Sequence, residues 1–161
     1  MDTLHYLSLG FGVALQPENL MFALMGCFIG TLIGALPGLG PANGVAILIP
    51  LAFTLGLKPE TALIMLTAVY AGAMYGGRIS SILLNIPGDE PAMMTCLDGY
   101  PMARKGKAAE ALAISAIASF MGSLIATVGL ILLAPMLARF ALTFGPAEYF
   151  ALFVLAFATL G

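Results

Sequence analysis

Charge is what this sequence has least of. Of its 161 residues, 9% are Asp, Glu, Lys or Arg and 61% are apolar, where a soluble domain carries about 25% and roughly 45–50% respectively. A water-soluble fold of this size has to clothe its surface in polar side chains, and too few are present. A soluble domain is therefore excluded. Six basic residues scattered along the chain and a formal net charge of −2 make no phosphate-binding stripe, so nucleic acid is not an expected partner. The two cysteines, Cys27 in an apolar run and Cys96 in a polar stretch, have no paired spacing and suggest neither disulfide nor metal. His5 is the single histidine and has no nucleophile beside it, and a lone histidine near a terminus is more often incidental than catalytic. Lys105 and Lys107 sit on a solvated connection. With no catalytic set, an enzyme is not expected, nor a cofactor or a metal. The start, Met1-Asp2-Thr3-Leu4-His5, has no basic leader and no cleavage site follows Leu4–Leu15, so no cleaved signal peptide is expected. The apolar run Ala151–Gly161 stops without a polar tail, as expected of a piece of a longer chain.

What the chain does have is long uncharged stretches. No charge interrupts the 39 residues between Glu18 and Lys58, the 17 between Glu60 and Arg78, or the 28 between Glu110 and Arg139. Each meets or nearly meets the about 20 apolar residues that a helical span needs. Lipid is the expected solvent. The expected fold class is an all-α polytopic membrane protein with broken or re-entrant helices, half of an inverted-repeat transporter, with residues 1–161 as the N-terminal part of one permease domain. Residues 4–15 are apolar but short, and read as an interfacial helix. Residues 19–57 as one helix would reach about 58 Å, roughly twice the hydrocarbon thickness, so the run has to turn. It turns at Leu36-Pro37-Gly38-Leu39-Gly40-Pro41, where each proline removes a donor and biases its predecessor away from helix. The expected helices are then 20–36, 42–57 (with a bend at Pro50), 60–77, a short re-entrant piece at 79–86, 111–134 ending at Pro135, and 147–161. Each arm of the turn is about 25 Å long, which suits a short full span or a hairpin dipping into the membrane. A polar connection, Asp98–Glu110, carries Arg104, Lys105 and Lys107 and is expected on the cytoplasmic side.

Two segments suggest chemistry. Apart from the amide of Asn43, the Leu36–Pro41 turn has no strongly polar side chain, and unwound backbone at membrane depth is tolerated only where protein buries it or where it lines a watery cavity. The helix beginning near Ala42 and Asn43 offers N–H groups and a dipole that favour an anion; broken helices of this kind build substrate and ion sites in secondary transporters. The alternative is a tight turn between packed helices. In the second segment, Gly76 to Gly88, Ser80, Ser81 and Asn85 supply neutral donors and acceptors beside an expected helix break. Arg78 is costly within a bilayer; it is a possible partner for a substrate carboxylate, or it snorkels to the interface. Gly26, Gly30 and Gly34 recur every four residues and, with Gly72 and Gly76, suit close helix packing, whether static or against a moving neighbour. Asp89 and Glu90 read as exposed loop acids, with cation binding the alternative.

Several motifs occur in order: Gly34-Ala35-Leu36-Pro37-Gly38-Leu39-Gly40-Pro41, Ala73-Met74-Tyr75-Gly76-Gly77, Ser81-Ile82-Leu83-Leu84-Asn85-Ile86-Pro87-Gly88, Asp98-Gly99-Tyr100-Pro101-Met102-Ala103 and Phe144-Gly145-Pro146-Ala147-Glu148-Tyr149-Phe150. Together they resemble the large membrane subunit of the tripartite tricarboxylate transporters, the TctA family, over essentially the whole chain. The resemblance implies the N-terminal portion of a multi-pass permease of the bacterial inner (cytoplasmic) membrane. Its implied partners are a small membrane subunit, a periplasmic solute-binding protein, the lipid bilayer and an organic anion such as citrate. Uptake would be driven by a coupling cation, sodium or proton, rather than by ATP. It also implies that Pro37, Gly38, Leu39, Gly40 and Pro41, with Asn43, and Ser80, Ser81, Asn85, Pro87 and Gly88, lie near the translocation site. Arg78 departs from the family, where Ser often stands, and would mark a different ligand preference.

The alternative from another class is a structural or assembly subunit of a membrane complex, with the glycine faces as docking surfaces. A transporter of this design should echo both breaks in a second half, which these residues do not contain. A membrane-embedded enzyme ranks third for want of a catalytic set.

Overall fold

The computed structural model describes residues 2–160, which form seven helices and no strand among the described residues. They are α1 (Asp2–Ala14), α2 (Pro17–Ala35), α3 (Gly40–Thr54), α4 (Pro59–Leu84), α5 (Ala92–Arg104), α6 (Ala108–Ala141) and α7 (Pro146–Leu160). Pro17, Pro59 and Pro146 open their helices and Pro41 sits in the first turn of α3, positions where the missing N–H has no intrahelical partner to lose. Glu18, Glu60 and Glu148 lie in first turns, where a negative charge complements the helix dipole. Among the described residues, three helical segments are long and apolar enough to cross a membrane: Pro17–Ala35, Pro59–Leu84 and Ala108–Ala134. The protein is an all-α membrane protein. Large apolar side chains such as Leu24, Phe53 and Leu132 stand mostly exposed, as they do where hydrocarbon rather than water is outside.

The chain divides into two compact units, within residues 1–117 and 118–161. The centre of the first is the pair α2 and α4, which run side by side in the same direction. Gly26 faces the Met65 backbone, Gly30 that of Val69 and Gly34 that of Ala73, stepping by four on both helices; a Cβ on any of the three glycines would strike the opposing carbonyl oxygen. From the other side, Gly72 meets the Cys27 carbonyl and Gly76 that of Thr31. The two glycine rows interleave, backbone against backbone. In lipid this is how helices hold together, because tails are as apolar as Leu and supply no hydrophobic drive between helices. At the N-terminal ends the register is pinned by a buried polar contact: the Thr61 hydroxyl donates to Asn19 Oδ1 at 2.7 Å, while Asn19 Nδ2 donates to the Val13 carbonyl at 2.7 Å and ties in α1. Since α2 and α4 start level with each other, α3 has to carry the chain back antiparallel between them.

Three expectations need correction. Residues 79–86 are not a separate re-entrant piece: α4 passes through Gly76, Gly77 and Arg78 and ends at Leu84. The glycine pair is a contact, not a break. Residues 98–104 are not loop, because α5 occupies them; the polar connection shrinks to the turn at 105–107. The helix expected to stop at Pro135 continues to Ala141, since in lipid no water competes for its backbone groups. α3 passes through Pro50 and ends at Thr54. The expected last helix begins at Pro146, and Gly161, where it was expected to end, lies outside the described residues.

In the second unit, Phe140 and Phe144 pack edge to face with ring centroids 5.3 Å apart at the end of α6. The Gly145 N–H donates to Glu148 Oε2 at 2.8 Å, so the first-turn carboxylate reaches back to cap α7.

Candidate functional site

The α2–α3 turn is built by its glycines. The helix closes as the Leu36 N–H donates to the Ile33 carbonyl at 3.1 Å. Gly38 (φ 89°) and Gly40 (φ 65°) then take left-handed conformations that other residues adopt only with strain. No side chain caps the N-terminus of α3. Asn43 Nδ2 donates instead to the Leu39 carbonyl at 2.6 Å, the oxygen to which the Asn43 main-chain N–H of a regular helix would bond. In the first turn of α3, where Pro41 has no N–H, the Gly40 and Ala42 N–H groups are thus left without a side-chain cap.

The second turn folds back onto the first. Asn85, left-handed at φ 59° and ψ 30°, ends α4 with its N–H on the Ser81 carbonyl, and Pro87 prevents continuation. The strap 85–91 then returns along α4. Gly88 arrives so close that a methyl on it would lie 2.5 Å from Gly77 Cα and 2.8 Å from the Gly34 carbonyl oxygen. Three glycines, from α2, α4 and the strap, meet at one point. Beyond it, Asp89 Oδ1 accepts from the Ala92 N–H at 3.1 Å and so caps α5.

Between the two turns lies a cleft of about 450 Å³, within the range of small-ligand sites. Gly38, Leu39, Gly40, Pro41, Ala42 and Asn43 line one side, Pro87, Gly88, Asp89 and Glu90 the other, with Tyr70 and Met93 completing the wall. Seven of the positions expected near the translocation site, Gly38 to Pro41, Asn43, Pro87 and Gly88, thus come together from segments far apart in the chain. The others do not line it. Pro37 is exposed on the turn. Ser80 and Ser81 are buried and both donate to the Gly77 carbonyl, at 3.0 and 2.7 Å, so their hydroxyls are consumed inside α4. Asn85 is exposed at the far end of α4, and Arg78 is partly buried on α4 outside the cleft wall. Five cleft residues, Ala42, Tyr70, Asp89, Glu90 and Met93, are not among the expected site residues. Asp89 has a signal in the sequence, an acid directly after a Pro-Gly break; Tyr70, on an unremarkable helical face, has none.

The sequence profile of the tripartite tricarboxylate transporter TctA family matches residues 20–161, both turns included. This chain belongs to the TctA family. An uncharacterized 52.8 kDa protein from the TAR-I ttuC' 3' region of Agrobacterium vitis is 50% identical over 155 residues, which cover 96% of this chain. The chain spans only 30% of that relative's length. No solved structure matches it. The α2–α4 core with its cleft falls almost entirely within the matched region.

Proposed function

We propose that this chain builds part of the solute pathway of a binding-protein-dependent secondary transporter of the bacterial inner membrane, taking up tricarboxylates or related organic acids on an ion gradient. A periplasmic solute-binding protein delivers the anion and a small membrane subunit completes the complex. The observation that carries this reading is the convergence of both proline-glycine breaks on one cleft. Depth supports it. At 26 residues, α4 is about 39 Å long, and Gly77 lies about 8 Å beyond its midpoint. With α4 centred in the bilayer, the cleft falls inside the about 15 Å half-thickness of hydrocarbon. There, carboxylate oxygens meet the uncapped N-terminus of α3, and unwound carbonyls serve the coupling cation, as in other transporters with broken helices. The basic residues Arg104, Lys105 and Lys107 mark the cytoplasmic side.

The assembly-subunit reading loses its main support, because the glycine rows that would serve as docking faces are filled by each other within α2 and α4.

Uptake of radiolabelled citrate by the full-length permease with both partners, reconstituted in proteoliposomes under imposed sodium or proton gradients, tests the proposal. Gly38→Ala, strained at its positive φ and facing the cleft, is expected to lower uptake at least about tenfold while insertion stays normal. Wild-type uptake by that variant would refute the site assignment.

A further inference from the structure

The charges around the cleft do not suit an anion on its own. Asp89 and Glu90 are its charged residues; Tyr70 from α4 is the remaining titratable group, α5 contributes Met93, and the α2–α3 turn contributes main chain and the neutral Asn43. An organic acid entering here meets carboxylates and no lining Lys or Arg. Asp89 is the telling residue. Its Oδ1 caps α5 and packs where a Cβ on Gly77 would sit 3.2 Å away. Its Oδ2 is shut off from solvent and has no hydrogen-bond partner among the described residues. A buried carboxylate oxygen without a partner is costly and calls for a cation. The Gly34 carbonyl, which faces Gly88 next to Asp89, belongs to the last turn of α2, where the helix dipole favours positive charge.

We propose that Asp89 is the ligand of a monovalent metal cation, sodium, whose arrival in the cleft cancels the repulsion that would otherwise exclude the organic anion. This rests on the transport reading above and adds to it the residue at which cation and anion are coupled. A single buried carboxylate oxygen suits sodium better than a divalent ion, which recruits several carboxylates. Among the described residues no group of three or more His, Cys, Asp or Glu comes together. The order of events follows from the electrostatics: the cation binds first or together with the anion, so anion affinity rises with cation concentration.

Asp89→Asn is the informative variant, because it keeps the Oδ1 acceptor for the Ala92 N–H and removes only the charge. The purified full-length permease is titrated with radioactive sodium in the absence of any anion. Asp98→Asn, exposed on α5, is the control. Wild type and the control are expected to bind sodium, and Asp89→Asn to bind it at least about tenfold more weakly. If the wild type binds no sodium, or if Asp89→Asn keeps its affinity, the proposal is overturned. Should Asp89→Asn not insert, Asp89→Glu moves the carboxylate by one methylene, and unchanged sodium affinity overturns the proposal equally. Because no anion is present, a failure of citrate uptake by wild type would sink the transport reading without touching this result.

Discussion

Asn85 shows how one residue can attract a chemical role that its conformation explains better. Its left-handed backbone ends α4, and among non-glycine residues Asn is one of the few that adopt this state readily. Its side chain is exposed and lies outside the cleft wall. Asn85→Gly is expected to keep both the thermal midpoint and near-wild-type uptake, whereas Asn85→Ala costs about 1 kcal/mol through the strained φ. Proteoliposome uptake beside a melting curve separates the two roles: a stable Asn85→Gly protein without uptake would mean that the amide touches the solute. The serines teach the same lesson. In sequence Ser80 and Ser81 look like free donors beside a break, but a Ser within a helix readily bonds its own backbone, and both spend their hydroxyls on the Gly77 carbonyl. The Leu36–Pro41 turn is legible because prolines flanking glycines interrupt a helix by local chemistry alone. The burial of the Asp89 Oδ2 atom is not, since it depends on where the strap folds back, a long-range contact that no local pattern encodes.

At the scale of elements, glycine spacing is readable and its consequence is not. The repeats at Gly26, Gly30 and Gly34 and at Gly72 and Gly76 announce close packing, but only the fold reveals that these two rows pack against each other in parallel, with α3 as the return. Gly76-Gly77 reads as the end of a helix because glycine is a poor helix former in isolation. Packing overrides that propensity here, since any Cβ at Gly76 would meet α2 backbone. The backbone cannot yield as a flexible side chain would, so Gly30→Ala has to push the helices apart. The expected loss is about 1–3 kcal/mol, the range of overpacked cores, read as a lower thermal midpoint of the detergent-solubilised permease. Gly10→Ala on α1, where nothing lies within 4 Å of the added methyl, serves as its reference and should not lower the midpoint, since alanine is the better helix former. Equal midpoints for the two variants would show that α2 and α4 do not make this contact in the assembled protein.

For the first unit as a whole, parallel α2 and α4 impose a topology that can be checked from outside the membrane. The N-terminal ends of both helices are level, held by Asn19 and Thr61, so Gln16 and Lys58 must face the same side whether α2 and α3 cross completely or dip as a hairpin. Since α4 is long enough to pass through with residues to spare, Asn85 must emerge on the opposite side. The α2–α3 turn meets α4 near Gly76 and Gly77, about eight residues short of Asn85 and hence about 12 Å below it. Single cysteines placed at Gln16, Lys58, Leu39 and Asn85, in a full-length background free of other reactive cysteines, give distinct expectations with a membrane-impermeant maleimide. Gln16→Cys and Lys58→Cys label from one face and Asn85→Cys from the other. Leu39→Cys, inside the cleft, labels more slowly than Asn85→Cys and is protected by citrate. Fast, citrate-indifferent labelling at position 39 would put the turn in bulk water. A buried anion pathway needs the opposite, because unwound main chain binds a charged solute strongly only where competing water is scarce.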